Sequence, residues 1–396
     1  MLLKKIKNLA DKNHPEVVRL RRHLHQYPEL SFQEKETGKY ISEQLKSWGI
    51  PHKRGMAGNG VVGILKGKKS NKKIIALRGD MDALPILEAN KVTYKSKNEG
   101  VMHACGHDVH TSSLLGVAKI LNELKDEWGG TIKLIFQPGE ETLPGGASIM
   151  IKEGVLKNPK PSSILGQHVH PPLEVGKIGM KAGQYMASAD EIYVTVTGKG
   201  GHGALPHNCI DPVVVTSQIV VALQQIVSRY SNPTTPTVLT FGKIASTGGR
   251  TNVIPNEVKL EGTFRTMDEK WRKEAHRRMR KIAEGTAKSM GAICDFDIRV
   301  GYPFLVNNEA LTAQTKAHAI EYLGKKNVVD LPIRMTAEDF AFFSQKLPAT
   351  FYRLGTGNKK RGITSPVHTN TFDVDEDCLN LGPGVMAWLA IRTLGN

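Results

Sequence analysis

Short apolar runs alternate with amphipathic stretches over the first half of the chain, and this rhythm limits the fold more than any other feature. VVGIL (61–65), KIIALRGD (73–80), TIKLIFQ (131–137) and SSILGQHV (162–169) have the length and composition of buried strands. PEVVRLRRHLHQY and EKETGKYISEQLKSWG precede them as amphipathic helices, and HTSSLLGVAKILNEL and GGASIMIKEG lie between the later runs. Such alternation calls for an α/β layer built on a largely parallel sheet.

Between about 190 and 300 the rhythm changes. DEIYVTVTG, TVLTFGKIA, NEVKLEGTFRT and ICDFDIRV read as strands, and DPVVVTSQIVVALQQIVSRY and DEKWRKEAHRRMRKIAEGTAKSM as helices. Their order is βαββαβ, the split ferredoxin-like unit. The first pattern then resumes with helix NEALTAQTKAHAIEYLG, strand TFYRLG and a closing helix DEDCLNLGPGVMAWLAIRTL. At 396 residues the chain exceeds what one hydrophobic core usually spans. An inserted domain at 187–299, within a first domain of 1–186 and 300–396, is the simplest account. No internal repeat or long Gly/Ser linker interrupts the chain, so the junctions near 187 and 300 are expected to be short hinges.

The N-terminus, MLLKKIKNLADKNHPEVVRLRRHL, runs no more than three apolar residues without a charge, which fits neither a signal sequence nor a membrane span. Cysteines at 105, 209, 294 and 378 are too scattered for a disulfide framework. A soluble cytoplasmic protein with reduced thiols is expected, with no membrane partner. Lys plus Arg outnumber Asp plus Glu by 54 to 38, a net charge of +16, but the excess is diffuse. No aromatic residues interleave with the basic helix at 271–284 as a stacking platform requires, so no nucleic-acid partner is expected. Attraction for carboxylate-bearing substrates is the better use of that charge.

Reactive residue types collect in RGDMDALP (78–85), HACGHDVH (103–110), PGEE (138–141), QHVHP (167–171) and SPVHTNTF (365–372). Each segment follows a strand or lies in a loop, where α/β sites assemble. Cys105 and His107 can turn a thiolate and an imidazole to one ion, or belong to a solvated loop. Glu140 and Glu141 follow a strongly apolar strand. As neighbours in an extended segment they are expected to point in opposite directions, one toward a metal and the other toward water. That division suits metal-assisted hydrolysis, although a solvated turn has the same residues. His168 and His368 are weak signals singly. Taken together, Cys105, His107, Glu141, His168 and His368 suit a pair of ions about 3.5–4 Å apart. Asp80 and Asp82 either orient a ligand imidazole or cap their turn.

TGKGGHGALPH carries Gly198, Gly200 and Gly203 at GxGxxG spacing, but Pro206 intervenes and the next helix waits until Asp211, so a dinucleotide loop is a poor fit. His202, at its centre, suits a mobile loop that donates to a developing oxyanion; an incidental histidine in a tight turn is the plainer alternative.

The set RGDMDALP, HACGHDVH, PGEE, QHVHP, GKGGHGALPH, TNVIP and MTAEDFAFF, with RRHLHQYPELSFQEKET near the start, spans nearly the whole chain. It resembles the amidohydrolase branch of the di-metal aminoacylase and carboxypeptidase family, which includes aminoacylases, hippurate hydrolases, indole-acetyl-amino-acid hydrolases and N-acetyl-diaminopimelate deacetylases. The resemblance implies a metal-binding catalytic domain with a mixed sheet and an inserted ferredoxin-like lid or dimerisation domain. It implies that Cys105, His107, Glu141, His168 and His368 hold two divalent ions, that Glu140 is the general base, and that Asp82 supports a ligand. It further implies that His202 stabilises the tetrahedral intermediate, in its own or a partner's site, with Asn252 and Arg265 as candidates for the substrate carboxylate. A homodimer through the inserted domain and an N-acyl-L-amino acid substrate follow from it, with a carboxypeptidase acting on short peptides as the alternative. This branch uses a Cys/His loop where the wider family has an aspartate bridge, so zinc, manganese, cobalt and nickel all remain open. Glycines in RGD and PGEE stand where the branch often has alanine.

Overall fold

The computed structural model describes residues 1–395, which fall into two compact units. The first comprises Met1–Tyr185, Val306–Ile333 and the chain from Asp339 onward; the second comprises Met186–Leu305 and Arg334–Glu338.

The first unit is built on an eight-stranded sheet in the order His52–Met56, Gly60–Lys66, Gly129–Gln137, Lys69–Asp80, Ile164–Glu174, Ala349–Gly357, Ile178–Met180 and Val328–Asp330. Lys69–Asp80, Gly129–Gln137, Ile164–Glu174 and Ala349–Gly357 are parallel neighbours, while the Gly60–Lys66 side and the Ala349–Gly357/Ile178–Met180 pair are antiparallel. The sheet is therefore mixed. Its central strands are buried almost throughout, as their largely apolar composition favours, with Lys133 and Arg353 buried among the apolar side chains. The helices Leu2–Gln26, His107–Glu123 and Cys378–Leu394 pack together against it.

The first helix begins at Leu2, well before the amphipathic stretch at Pro15, and carries that proline inside. Ile6, Ala10, Asn13, Val17 and Leu20 are buried at three- and four-residue spacing on both sides of Pro15, so one apolar face continues through it and tertiary packing outweighs the lost backbone hydrogen bond.

The second unit has a wholly antiparallel sheet in the order Thr237–Ser246, Glu257–Thr266, Asp190–Thr197 and Ile293–Val300. With the helices Pro212–Leu223 and Glu269–Ser289 this is the βαββαβ order. The helix expected to run to Tyr230 stops at Leu223 and continues only as a single π turn, Ile226–Tyr230. Its start is set by Asp211, whose side chain accepts from Val213 N–H at 2.8 Å, with Pro212 at the first helical position. Among the described residues no helix is long and apolar enough to cross a membrane.

Candidate metal centre

Two central strands of the first unit deliver reactive residues at their C-terminal ends: Lys69–Asp80 leads to Asp82, and Gly129–Gln137 to Glu140 and Glu141. His168 lies inside Ile164–Glu174 rather than at its end. Cys105 and His107 bracket Gly106, which caps the helix His107–Glu123 with φ 81°. Only glycine fits there, because a Cβ would come within 2.6 Å of Val169 as well as adopting left-handed backbone. The thiol and imidazole are thereby packed against the strand that carries His168. The loop bearing His368 is tied to the same segment by His368 N–H donating to Ala104 O at 2.8 Å.

The five expected donors meet. Cys105, His107 and His168 offer ligand atoms within 4.8 Å of one another, and so do Cys105, Glu141 and His368. The thiol is common to both groups. Cys105 Sγ lies 3.5 Å from His168 Nε2, and His368 Nε2 lies 3.2 Å from Glu141 Oε1. Glu140 and Glu141 do not diverge as an extended segment would make them. The strand ends at Gln137, PGEE turns, and His107 Nε2 is 4.0 Å from both Glu140 Oε2 and Glu141 Oε1.

The protonation pattern suits cations. His107 Nδ1 donates to the Asp82 carboxylate at 3.1 Å, and its Nε2 is buried with no hydrogen-bond partner. Although burial opposes it, Asp80 and then Asp82 and Cys105 hold this imidazole well above its ordinary pKa, so a cation bound at Nε2 would take the place of a proton. His168 Nδ1 donates to Val169 O at 2.8 Å, which turns its Nε2 lone pair toward Cys105. Burial, then Arg353 and His110, hold His168 well below its ordinary pKa and neutral. Cys105 and Glu141 lift the His368 imidazole to about 10, the mark of a donor set that attracts positive charge. A thiol, a carboxylate and three imidazoles whose ligand atoms gather in one place are a donor set for divalent transition ions, and two groups sharing one thiol fit two of them.

A layer of supporting contacts holds these donors. Asp82 accepts from Ser31 Oγ at 2.7 Å as well as from His107. His110 Nε2 accepts from Val169 N–H at 2.9 Å, so its Nδ1 carries the proton and donates to Asp80. Arg78, fully buried, pairs with Asp80 and donates to Asp339 Oδ1 at 2.8 Å, and Asp339 N–H donates to Glu140 Oε1 at 3.3 Å. Sequence reasoning named neither His110 nor Asp339 as a supporting group. The spacing of His110 three residues after His107 on one helix was the available signal.

His202, Asn252 and Arg265 belong to the second unit. Exposed His202 lies in the two-residue strand Gly201–His202, paired with Val253–Ile254, and Gly203 N–H donates to Asn252 O at 2.8 Å. Ala204 N–H donates to His202 Nδ1 at 3.1 Å, leaving Nε2 as the proton-bearing donor of the neutral ring. Arg265 sits opposite Val238 in the four-stranded sheet, half-buried, and burial lowers its pKa.

The model of Peptidase family M20/M25/M40 matches residues 76–391. The chain is 39% identical over 395 residues to thermostable carboxypeptidase 1 of Saccharolobus solfataricus, covering 99% of this chain and 98% of that one. It is 43% identical over 307 residues to the N-acyl-L-amino acid amidohydrolase of Geobacillus stearothermophilus, covering 78% and 82%. Among solved structures, the Bacillus subtilis YXEP protein, a dinuclear metal binding peptidase from the M20 family, superposes with TM-score 0.83 at 34% identity over 98% of this chain and 99% of that one. With that family model spanning most of its length and donors for two ions gathered in one place, the chain belongs to peptidase family M20/M25/M40 and is a metal-dependent hydrolase.

Proposed function

We propose that the protein hydrolyses the amide bond of N-acyl-L-amino acids, releasing a carboxylic acid and a free amino acid. The observation that carries this reading is the Cys105 thiol shared by two donor groups, with the Glu140 carboxylate beside them. The amidohydrolase relative supports the choice of substrate.

Cys105, His107, Glu141, His168 and His368 would hold two divalent ions of zinc, manganese, cobalt or nickel. Bound there, the pair lowers the pKa of water and polarises the scissile carbonyl. Glu140 accepts the proton of the attacking water and passes it to the leaving amine. Asp339 N–H orients the Glu140 carboxylate, and Asp82 keeps His107 in the tautomer whose Nε2 is a ligand. His202, whose Nε2 bears the proton, donates to the developing oxyanion in its own or a partner's site. Asn252 and Arg265 grip the substrate carboxylate. We place the chain in a homodimer formed through the second unit, supported by exposed Val213, Val214 and Val221 on one helix and Ile244 on the edge strand. Four free thiols support the reducing cytoplasm as its compartment.

Glu140→Gln is expected to retain both ions and lose about 100-fold or more of turnover on an N-acyl amino acid. Retention of most activity refutes the assignment. The carboxypeptidase relative favours a second reading, trimming of short peptides, which also cuts an amide beside a free carboxylate. Comparing kcat/KM for acetyl-, benzoyl- and indole-acetyl-amino acids with values for dipeptides separates the two.

A further inference from the structure

The segment ELSFQE, residues 29–34, supplies no donor to the metal centre, yet it touches both loops that flank it. Ala83 N–H donates to Glu29 O at 2.8 Å, Leu30 forms a parallel bridge with Ala83, and Ser31 Oγ donates to Asp82. Farther along, the fully buried Glu34 accepts from Gly139 N–H at 2.7 Å. Gly139 immediately precedes Glu140 and Glu141. One short segment therefore grips the RGDMDALP turn with one end and the PGEE turn with the other.

The backbone between these grips is strained. Phe32 has φ 65°, a left-handed conformation that an aromatic residue rarely adopts. Such a residue persists only where its surroundings over-determine it, and outliers of this kind concentrate at functional sites. The surroundings are specific: Asn59 Nδ2 donates to Phe32 O at 3.0 Å and to Glu34 Oε2 at 3.3 Å. The Phe32 ring fills the space beside Gly139, where a Cβ would lie 2.4 Å from it. The Glu34 carboxyl oxygens accept from Gly139 N–H and from Asn59 Nδ2. Burying a carboxyl group is done at an expense in lost hydration even when its oxygens are hydrogen-bonded. That expense is explained if the bond holds something that must not move.

We propose that Glu34 is a positioning residue that fixes the Gly139–Glu141 turn and thereby sets the direction of the Glu140 carboxylate. The role rests on the assignment of Glu140 as general base, and deepens it: the base is aimed from one side by Asp339 N–H and from the other by a clamp on the preceding glycine.

The test uses the full-length, metal-loaded protein and its Glu34→Ala and Glu34→Gln variants. Amide hydrogen exchange is read at residues 139–142, kcat and KM on the N-acyl amino acid the wild type cleaves best, and metal content by elemental analysis. Glu34→Ala is expected to exchange about tenfold faster at these amides alone and to lose about 10- to 100-fold in kcat, with KM within about twofold and both ions retained. Glu34→Gln, which keeps an oxygen for Gly139 N–H, is expected to recover protection and kcat together. A folded Glu34→Ala with wild-type exchange and kcat overturns the proposal. If Glu34→Ala does not fold, Glu34→Gln decides: protected amides with a kcat as low as about a hundredth of wild type overturn it, and parallel recovery supports it. Should the wild type cleave no N-acyl amino acid, the substrate reading fails, while exchange confined to 139–142 still supports the clamp and unchanged exchange still overturns it.

Discussion

Asp82 joins a helix start to the turn after a strand: its Oδ1 accepts from His107 Nδ1 at 3.1 Å, and its Oδ2 accepts from Glu141 N–H at 2.9 Å. One carboxylate thus orients the His107 imidazole and the Glu141 backbone together. Replacement by asparagine leaves only one accepting oxygen for these two donors. Asp82→Asn is expected to weaken metal binding by about 10- to 100-fold, read by titration of the metal-free protein with zinc or manganese.

Arg78 is expected to be indispensable for stability. Although burial opposes its charge, Asp80 is held well below the ordinary carboxylate range by the Arg78 guanidinium, with His107 and His110 adding to the effect. Arg78→Met leaves Asp80 and Asp339 as buried carboxylates without that cation. A loss of about 3–5 kcal/mol is expected in denaturant unfolding at pH 7.

Glu34 makes stability depend on pH. Burial, then the Asp82 charge, push its carboxyl from 4.5 up to about 7. The folded chain therefore binds this proton more tightly than the unfolded chain. Its contribution is fully favourable below about 4.5 and is lost as pH rises through about 7. Glu34→Gln carries no such titration. The unfolding free energy of this variant relative to wild type is expected to rise between pH 4.5 and pH 8, by about 3 kcal/mol at the upper limit. A difference that stays flat over this range contradicts the shift.

Chelation is expected to lower the melting temperature. Folding brings Cys105, Glu141 and three imidazoles into one place, so ions that bind this set and not the unfolded chain stabilise by mass action, about 3 kcal/mol at a hundredfold excess over Kd. Stripping the protein and adding zinc, manganese, cobalt or nickel back singly, with calorimetry of each sample, checks this. An unchanged melting temperature in every case contradicts it.

Much of the architecture is written locally. Short, largely apolar runs such as TIKLIFQ become the central strands, and the change of rhythm after residue 190 becomes a separate antiparallel sheet in βαββαβ order, because apolar period and length act within a single element. Cys105, His107, Glu141, His168 and His368 are legible only as a set: singly each has an ordinary structural reading, and it is the number of thiol, imidazole and carboxylate groups in separate loop segments that points to one centre.

What tertiary structure decides is how these groups face one another. Glu140 and Glu141 converge on His107 because the chain turns immediately after Gln137, a bend that alternation along an extended segment does not contain. The helix from Leu2 runs through Pro15 because an apolar face on both sides of it finds a core to cover. His110 reads as one more polar residue until Val169 N–H is seen pointing at its ring, and Glu34 looks like a surface acid until Gly139 closes on it. A residue's type and spacing announce which bonds it is able to make. Whether it makes them depends on partners distant in the chain, whose arrival is governed by burial and shape rather than by local pattern.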